Sequence, residues 1–460
     1  MRLRARSNGN DGHADIIISA MSLFSKFKED PLLAQVVRSS GKLFSANTVS
    51  LGLSVLQGVM AARLLQPEGL GLMRVAMAYA STVNSLLSFR MNELVVRYGG
   101  EYLARGEKDK AAALMKAAGL AEGFVSLLAF LSVLATAGLA EKYLTESQGA
   151  AWMFVVYAVG LLANFNVETA AGVLQVARKI ELQGVFNLTQ NILATLIIGA
   201  AFFWKGSLPA VLGAYLLGKV VWGLAMFAAA QIQLNRALGA DWRQVPLSRL
   251  TAVRDLIRFA FSSNVSATVI KIFRESELLW VAFFLPTGVV GLYSVAYTLV
   301  SFIAIPTDPL ISAAFPEINR LAVQKAWARL RDFLRKITAL SFAVNLALGI
   351  GFVFFGRWAI LLYAGAEFLD AYPALVALAI GLIFNYTLFW NRPLLLALGL
   401  PEFPIWATLA AGLVKLGLAF WLIPTYGIAA AGALLSYYYI ASVWIIVLRG
   451  VKQIRIEAEG

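Results

Sequence analysis

Cysteine is absent from this chain of 460 residues, and its single histidine is His13. The lack of cysteine excludes disulfide bonds and thiolate metal sites, and no G-x-x-x-x-G-K-[ST] phosphate loop is present. Charged residues are also scarce, at 14% against 60% hydrophobic residues, far from the balance of a soluble domain. We therefore expect no metal, no resident cofactor and no ATP hydrolysis within the chain.

What the sequence does have is twelve long apolar stretches joined by short polar loops. About 20 apolar residues suffice to cross the hydrocarbon core, and a chain in lipid must satisfy its backbone groups internally. We therefore predict an all-α polytopic membrane protein with twelve transmembrane helices. The predicted spans are 43–65, 72–96, 117–139, 150–176, 182–204, 208–232, 259–285, 290–315, 337–360, 375–400, 405–422 and 428–448.

The net charge of +13 is distributed unevenly among the loops. Nearly all loop cations lie in the two termini and in the loops after spans 2, 4, 6 and 8, whereas the other side receives Lys142, Lys205 and Arg357. Cytoplasmic loops carry such an excess of lysine and arginine. The pattern predicts cytoplasmic N- and C-termini in a bacterial-type inner membrane, with contacts to membrane lipids, and it explains the basic composition without a nucleic-acid partner.

The two halves of the chain repeat short motifs at nearly equal offsets. Gly71-Leu72-Met73-Arg74-Val75-Ala76 recurs as Gly291-Leu292-Tyr293-Ser294-Val295-Ala296, and Gly213-Ala214 recurs as Gly432-Ala433. Six spans per half give a parallel repeat about an axis along the membrane normal. We predict two pseudo-symmetric six-helix lobes around a central cavity, at 43–235 and 259–448.

Three further segments complete the predicted organisation. Residues 1–42 are a basic tail in which a short interfacial helix and a mobile tail are both compatible with the pattern. Residues 236–258 are a basic cytoplasmic linker with the pattern of an amphipathic helix, and 449–460 are a cytoplasmic tail.

Ionisable residues inside spans are costly and mark function by default. The densest group is in span 7, where a polar stripe follows helical spacing. The stripe consists of Asn264, Thr268, Lys271 and Glu275, and Arg274 and Glu277 lie beside it. We predict that this face of span 7 lines the cavity. The alternative is that its charges neutralise one another, Lys271 with Glu275 and Arg274 with Glu277.

Other spans carry polar groups at places where a helix is expected to break. Pro393 follows Asn391 and Arg392 in span 10, and Pro306-Thr307-Asp308-Pro309 interrupts span 8. Span 4 contains Asn164, Asn166 and Glu168. Broken helices at membrane depth commonly line ion or substrate sites, although a proline by itself also explains a structural kink.

Five basic residues have an interfacial interpretation. Arg90, near the end of span 2, either faces the cavity or extends into the headgroups. Arg63 and Arg74 flank the turn between spans 1 and 2, and we expect both at the interface. Lys219 is, like Lys415, an isolated lysine that either reaches the cavity or snorkels to the interface.

Several motifs resemble the polysaccharide and O-antigen (Wzx-like) flippase family. Leu65-Gln66-Pro67-Glu68-Gly69-Leu70-Gly71 is similar to the Leu-Gly-Pro-Glu-Gly-Tyr-Gly motif that opens the family's second span, with Gln66 in place of a glycine. Glu101-Tyr102-Leu103-Ala104-Arg105-Gly106 and Gly427-Ile428-Ala429-Ala430-Ala431-Gly432-Ala433 also match. The resemblance extends from about Lys42 to Arg449.

The resemblance implies a transporter of the multidrug, oligosaccharidyl-lipid and polysaccharide exporter superfamily, not an enzyme. Its expected substrate is an undecaprenyl-pyrophosphate-linked oligosaccharide, moved from the inner to the outer leaflet for surface polysaccharide such as lipopolysaccharide O-antigen. Many relatives use a gradient of H+ or Na+, and a polysaccharide polymerase is a plausible partner.

A pyrophosphate headgroup needs cations to replace its water, and its sugars need polar walls. The predicted substrate residues are Lys271, Arg274, Arg90, Arg392, Asn264, Thr268, Asn164 and Asn391. The carboxylates available for ion coupling are Glu275, Asp308, Glu277 and Glu168.

Three other functions compete with this prediction. An exporter of organic cations in the same superfamily would have the same spans, but its cavity should be rich in carboxylates, and here membrane cations are more numerous. A polymerase or lipid-linked glycosyltransferase usually has a large outer loop, and the outer loops here are short. A structural scaffold does not explain the charges within the spans.

Overall fold

The computed structural model describes residues 31–88, 90–250, 253–259, 273 and 276–459. Throughout these ranges every regular element is helical, and nine helical stretches in them are long and apolar enough to cross a membrane. Two of the nine, Asn47–Ala104 and Phe403–Glu459, each contain two predicted spans, so the nine account for every predicted span except the seventh. The prediction of an all-α polytopic membrane protein is confirmed.

The helices of the first half follow one another through short turns. They are α1 Pro31–Leu87, α2 Met91–Leu94, α3 Gly100–Ala104, α4 Lys108–Leu144, α5 Ala151–Ala163, α6 Val167–Val176, α7 Glu181–Phe203 and α8 Leu208–Leu238. A π turn, Val95–Gly99, joins α2 to α3.

The described part of the second half is helical as well. Its helices are α9 Glu277–Phe284, α10 Thr287–Ser301, α11 Asp308–Val323, α12 Trp327–Tyr363, α13 Tyr372–Thr387, α14 Asn391–Ala397 and α15 Phe403–Glu459. Short 3-10 turns, Phe302–Ala304 and Ala366–Ala371, lie between α10 and α11 and between α12 and α13.

Each of the two longest helices contains one backbone break that separates two predicted spans. In α1 the break is at Gln66, with φ 58°, directly before Pro67, and in α15 it is at Gly427, with φ 61°. Glycine adopts positive φ readily, and proline cannot donate the hydrogen bond that would continue the helix. These residues therefore end one span and begin the next.

Spans 8 and 10 are interrupted as the sequence predicts, and span 4 is interrupted as well. Span 4 breaks between Ala163 and Val167, and span 10 between Thr387 and Asn391, where Pro393 lies in the first turn of α14. In span 8 the α-helix ends at Ser301 and resumes at Asp308.

The repeated glycine motifs pack against each other at the junction of the two halves. A Cβ on Gly71 would overlap the Thr287 carbonyl oxygen, and a Cβ on Gly291 would overlap the Pro67 carbonyl oxygen. Because neither glycine has a side chain, α1 and α10 approach closely there. The two copies of the repeated motif thus meet at this contact.

The outward faces of the helices are strongly apolar. Large hydrophobic side chains such as Phe124, Leu196, Phe354, Trp358 and Trp421 are exposed on them. An exposed surface of this kind is suited to lipid rather than water.

The described part of the predicted linker differs from one continuous amphipathic helix. After α8 ends at Leu238, two 3-10 turns follow, Ala240–Gln244 and Leu247–Arg249, and residues 253–259 are helical. Trp242 is buried in a cluster with residues of the first half, and Lys116 donates to the Arg243 carbonyl oxygen at 2.9 Å. The segment therefore packs onto the first half.

Candidate functional site

Two adjoining cavities lie between the halves. Their volumes are about 390 Å³ and about 500 Å³, and both are lined by Arg74, Tyr157, Lys219 and Thr298. The first half contributes walls from α1, α5, α7 and α8, and the second half contributes walls from α9, α10 and α12. We call this space the central cavity.

Arg74 lies in the central cavity, and the expectation that it is interfacial is wrong. Its Nε atom is buried without a hydrogen-bond partner. Within the described residues Arg74 forms no ion pair. The close contact of Gly71 with α10 brings this turn of α1 to the junction between the halves. A guanidinium placed there lacks the anion that it would normally bind.

Lys219 is the second cation of the central cavity. It projects from α8, and its Nζ atom lies 4.9 Å from the centre of the Tyr157 ring. Its stem packs beside Gly160 of α5, where a Cβ would lie in ordinary contact, 3.5 Å from the Lys219 Cδ atom. As with Arg74, no described carboxylate forms an ion pair with this lysine. The sequence left open whether Lys219 reaches the cavity or snorkels to the interface, and the structure shows it in the cavity.

Glu277 also lines the central cavity, but its charge is already paired. The carboxylate forms a buried ion pair with Lys415 of α15 and accepts a hydrogen bond from the Tyr293 hydroxyl at 3.1 Å. Lys415 also donates to the Phe273 carbonyl oxygen at 3.2 Å. Lys415 is therefore the carboxylate's partner, although the sequence suggested Arg274. With Glu277 neutralised, the described cavity wall has an excess of positive charge.

Uncharged polar side chains form a third part of the wall. Ser54 and Gln57 of α1 face Asn191 of α7: the Ser54 hydroxyl donates to Asn191 Oδ1 at 3.0 Å, and Gln57 Nε2 donates to the Asn191 carbonyl oxygen at 2.9 Å. Gln190 of α7 lines the cavity beside them.

The break in span 4 is held by a carboxylate from span 3. Glu122 of α4 is buried, and its two oxygens accept hydrogen bonds from the backbone N–H groups of Glu168 and Thr169, both at 2.8 Å. It caps the otherwise unsatisfied N-terminus of α6. Predicted residue Asn164 lies at this break, and its Oδ1 atom is buried without a partner. The Glu168 side chain is exposed.

A separate cavity of about 180 Å³ lies within the second half. Asn391 and Arg392, both predicted substrate residues, line it together with Tyr438 and Tyr439. Asn391 Nδ2 donates to the Leu388 carbonyl oxygen at 2.7 Å, which stabilises the break in span 10. The structure therefore places these two residues in a cavity, but not with Arg74 and Lys219.

The remaining predicted residues are distributed as follows. Arg90 is exposed, forms an ion pair with Glu93 at 2.7 Å and does not line the central cavity. Asp308 begins α11, and its side chain lies outside the description. Asn264, Thr268, Lys271, Arg274 and Glu275 lie outside the described residues, as does the N-terminal tail up to residue 30. The roles of these residues stay predictions.

Sequence reasoning missed Glu122 and the facing polar residues of α1 and α7. One signal was available: Asn187, Asn191 and Thr195 recur every four residues in an apolar helix and so share a face. For Arg74 no such signal exists, because its distance from the lipid interface depends on how α1 packs against α10.

The fold is that of known membrane transporters rather than of enzymes. One solved structure, an inward-facing conformation of a multidrug resistance MATE family transporter of the MOP superfamily, has a TM-score of 0.72 and 14% identity over 88% of this chain and 95% of that one. Another, the lipid II flippase MurJ in an inward closed conformation, has a TM-score of 0.69 and 13% identity over 91% of this chain and 90% of that one.

Sequence comparison then gives the family. Residues 36–322 match the family model described as polysaccharide biosynthesis protein, and the chain belongs to that family. The inner membrane protein YghQ of Escherichia coli (strain K12) is 22% identical over 352 residues, which cover 75% of this chain and 96% of the relative. The resemblance seen in the sequence is confirmed at the level of the family.

Proposed function

We propose that this protein is a flippase for polyprenyl-pyrophosphate-linked oligosaccharides, used in the synthesis of a surface polysaccharide of the lipopolysaccharide O-antigen type. It moves the lipid-linked glycan from the inner to the outer leaflet of a bacterial cytoplasmic membrane. Both of its termini lie in the cytoplasm, and a polysaccharide polymerase is the proposed partner that consumes the product.

The observation that carries the proposal is the pair of cations in the central cavity. Arg74 and Lys219 line the space between the halves, and no described carboxylate pairs with either. An unpaired buried cation is costly unless a ligand supplies the counter-charge. A pyrophosphate supplies several negative charges and oxygen acceptors, and arginine binds such oxygens bidentately.

The comparisons support the same substrate class. The family description concerns polysaccharide biosynthesis, and one structure of similar fold is a flippase for lipid II. A neutral or cationic drug would gain nothing from two unpaired cations. The polyprenyl chain stays in lipid beside the apolar outer faces of the helices.

The proposed mechanism is alternating access by rocking of the halves about the headgroup. The close contact of Gly71 with Thr287 and of Gly291 with Pro67 closes one end of the cavity in this conformation. Separation of these glycines opens that end, and the headgroup leaves there.

Ion coupling is proposed at Glu277. Its ion pair with Lys415 joins α9 to α15, and the carboxylate faces the cavity. Binding of H+ or Na+ to Glu277 would compete with Lys415 and so weaken this connection. Among the other predicted coupling residues, Glu168 is exposed on α6, and Glu275 and the side chain of Asp308 lie outside the description.

The test is flipping in proteoliposomes that contain purified wild type or Arg74→Gln/Lys219→Gln. Loss of one charge-assisted hydrogen bond costs about 1.5–3 kcal/mol, so we expect the double variant to flip an undecaprenyl-pyrophosphate oligosaccharide at least about tenfold more slowly. A cationic dye is assayed in parallel.

The matched control is Lys142→Gln/Lys205→Gln, which makes the same change in net charge at two exposed positions, one in the last turn of α4 and one in the loop after α7. It should flip the glycolipid at the wild-type rate. If the wild type moves the dye and not the glycolipid, the protein is the organic-cation exporter and the proposal fails. If the cavity and control variants behave alike, the two cavity cations do not bind the headgroup.

A further inference from the structure

A row of uncharged polar side chains connects α1 to α7 along one wall of the central cavity. Three of its members lie on α1 and four on α7, each set at helical spacing. The members are Ser50, Ser54 and Gln57 on α1, and Asn187, Gln190, Asn191 and Thr195 on α7. We call this row the amide ladder.

Donor groups of the ladder form hydrogen bonds with acceptors that also belong to the ladder. Gln57 Nε2 donates to Thr195 Oγ1 at 2.9 Å, Asn191 Nδ2 donates to the Asn187 carbonyl oxygen at 2.8 Å, and Gln190 Nε2 donates to Asn187 Oδ1 at 2.8 Å. By contrast, no described residue donates a hydrogen bond to the side-chain oxygen of Gln57 or of Gln190. The ladder therefore presents acceptors whose donors are absent from the described protein.

The ladder also faces the space that holds the two cations. Ser54, Gln57, Gln190 and Asn191 line the same cavity of about 390 Å³ as Arg74 and Lys219. The rings of Tyr157, Tyr215 and Tyr363 form other parts of this wall. Among the described residues that line this cavity there is no carboxylate.

We propose that the cavity-lining members of the amide ladder, Ser54, Gln57, Gln190 and Asn191, form a sugar subsite, which binds the hydroxyl groups of the first sugar on the pyrophosphate. This inference rests on the proposed function, since it requires the headgroup to lie at Arg74 and Lys219. Sugar hydroxyls supply the donors that the Gln57 and Gln190 oxygens lack, and they are neutral, as is the ladder. Tyrosine rings pack against the apolar faces of a sugar while their hydroxyls remain available for hydrogen bonds.

A purely structural joint between α1 and α7 would also use polar side chains, because such groups hydrogen-bond across membrane helices. The two roles differ in where they need polar atoms. A joint needs Thr195, which accepts from Gln57 but does not line the cavity, and it does not need Gln190, whose hydrogen bond to Asn187 stays within α7. A sugar subsite needs Gln190 and Gln57 and tolerates loss of the Thr195 hydroxyl.

The test measures binding by detergent-solubilised protein of two lipids, undecaprenyl pyrophosphate and the same lipid carrying one N-acetylhexosamine. The variants are Gln57→Met and Gln190→Met, with Thr195→Val as the control and Arg74→Gln as the headgroup variant. We expect each glutamine variant to weaken binding of the glycosylated lipid by about three- to tenfold, the effect of one or two neutral hydrogen bonds. Binding of the sugar-free lipid should change less than about twofold.

Arg74→Gln should weaken binding of both lipids alike, and Thr195→Val should leave both unchanged. Equal affinity of the wild type for the two lipids would overturn the sugar subsite and leave the flippase proposal intact. An equal loss of affinity for both lipids in Gln57→Met and Gln190→Met would overturn the sugar subsite, and the same loss in Thr195→Val would show a structural joint. If the wild type binds neither lipid, the proposed function itself fails.

Discussion

At the scale of single residues, the buried pair of Glu277 and Lys415 shows how two opposite charges can be accommodated inside the protein. Their side chains are 4% and 2% exposed, and each has a second hydrogen-bond partner, the Tyr293 hydroxyl and the Phe273 carbonyl oxygen. The attraction between such charges repays their desolvation only when the geometry and these further bonds are in place. Removal of one partner leaves a buried charge without compensation.

Glu277→Gln and Lys415→Met are each expected to lower the free energy of unfolding by about 3–5 kcal/mol. The double variant should lose less than the sum of the two, because it leaves no unpaired charge. Thermal or denaturant unfolding of the purified protein in detergent measures all three.

The control for this cycle is the exposed pair Arg90–Glu93, whose side chains are 51% and 43% exposed. Arg90→Gln and Glu93→Gln should each change the free energy of unfolding by less than about 1 kcal/mol. If the double variant lost as much free energy of unfolding as the two single variants together, Glu277 and Lys415 would not be coupled.

At the scale of helices, the breaks and close contacts decide how the halves meet. Gln66 and Pro67 turn the chain from span 1 into span 2, and Gly71, one turn further along α1, lies against the backbone of Thr287. The equivalent Gly291 lies against Pro67. One contact region thus uses both copies of the repeated motif, so a single methyl group there acts on the interface between the halves.

Gly71→Ala is expected to separate the halves at this end of the cavity, because its Cβ would overlap the Thr287 carbonyl oxygen. The chain has no cysteine, so spin labels can be attached at Glu146→Cys and Glu367→Cys without a background signal. Pulsed electron paramagnetic resonance should show a longer distance between these labels in Gly71→Ala than in the protein with the wild-type Gly71.

Gly52→Ala is the matched control, since a Cβ on this glycine of the same helix meets no atom within 4 Å. It should leave the distance distribution unchanged. An unchanged distribution in Gly71→Ala would mean that the contact does not close the cavity.

At the scale of the whole molecule, the fold determines how the helices pack, and the charge distribution of the loops determines the orientation in the membrane. The fold gives the packing of the described crossings. The side of the membrane follows from the lysine and arginine bias of the loops. The proposed function requires a defined side, because a flippase accepts its substrate at one leaflet and releases it at the other.

Single cysteines test the orientation of the protein in the membrane, and because the chain has no cysteine of its own, only the introduced residue can be labelled. Glu146→Cys and Glu367→Cys lie in exposed loops on the predicted outer side, whereas Arg249→Cys and Lys325→Cys lie in exposed basic loops on the predicted cytoplasmic side. In intact spheroplasts a membrane-impermeant maleimide should label the first two and not the last two. The reverse pattern would place both termini outside.

Much of the fold was accessible from the sequence for a simple reason. Span length is set by the thickness of the bilayer, and backbone hydrogen bonds must close within each helix, so apolar runs identify helices. Prolines at 306, 309 and 393 indicated the breaks in spans 8 and 10, because proline removes a backbone donor wherever it lies. The amphipathic pattern at 236–258 was less informative, since Trp242 and Leu256 are buried against the first half.

The central cavity was less accessible because it depends on pairs of residues far apart in the chain. Lys415 and Glu277 are separated by 138 positions, and no local spacing indicates that they pair. The same holds for Glu122, which caps α6 from 46 positions earlier in the chain. Local pattern gave Asn391 and Arg392 as residues at a break, but whether that break faces the central cavity depends on tertiary packing.

The sequence by itself determined that this protein is a helical membrane protein of the polysaccharide biosynthesis family, because hydropathy, loop charge and short motifs are properties of consecutive residues. Only the tertiary structure decided which buried charges are neutralised and which remain unpaired. Glu277 is neutralised by Lys415, whereas Arg74 and Lys219 face the cavity without a described carboxylate. The physical reason is that the cost of a charge in the membrane depends on the atoms packed around it, and those atoms come from distant helices.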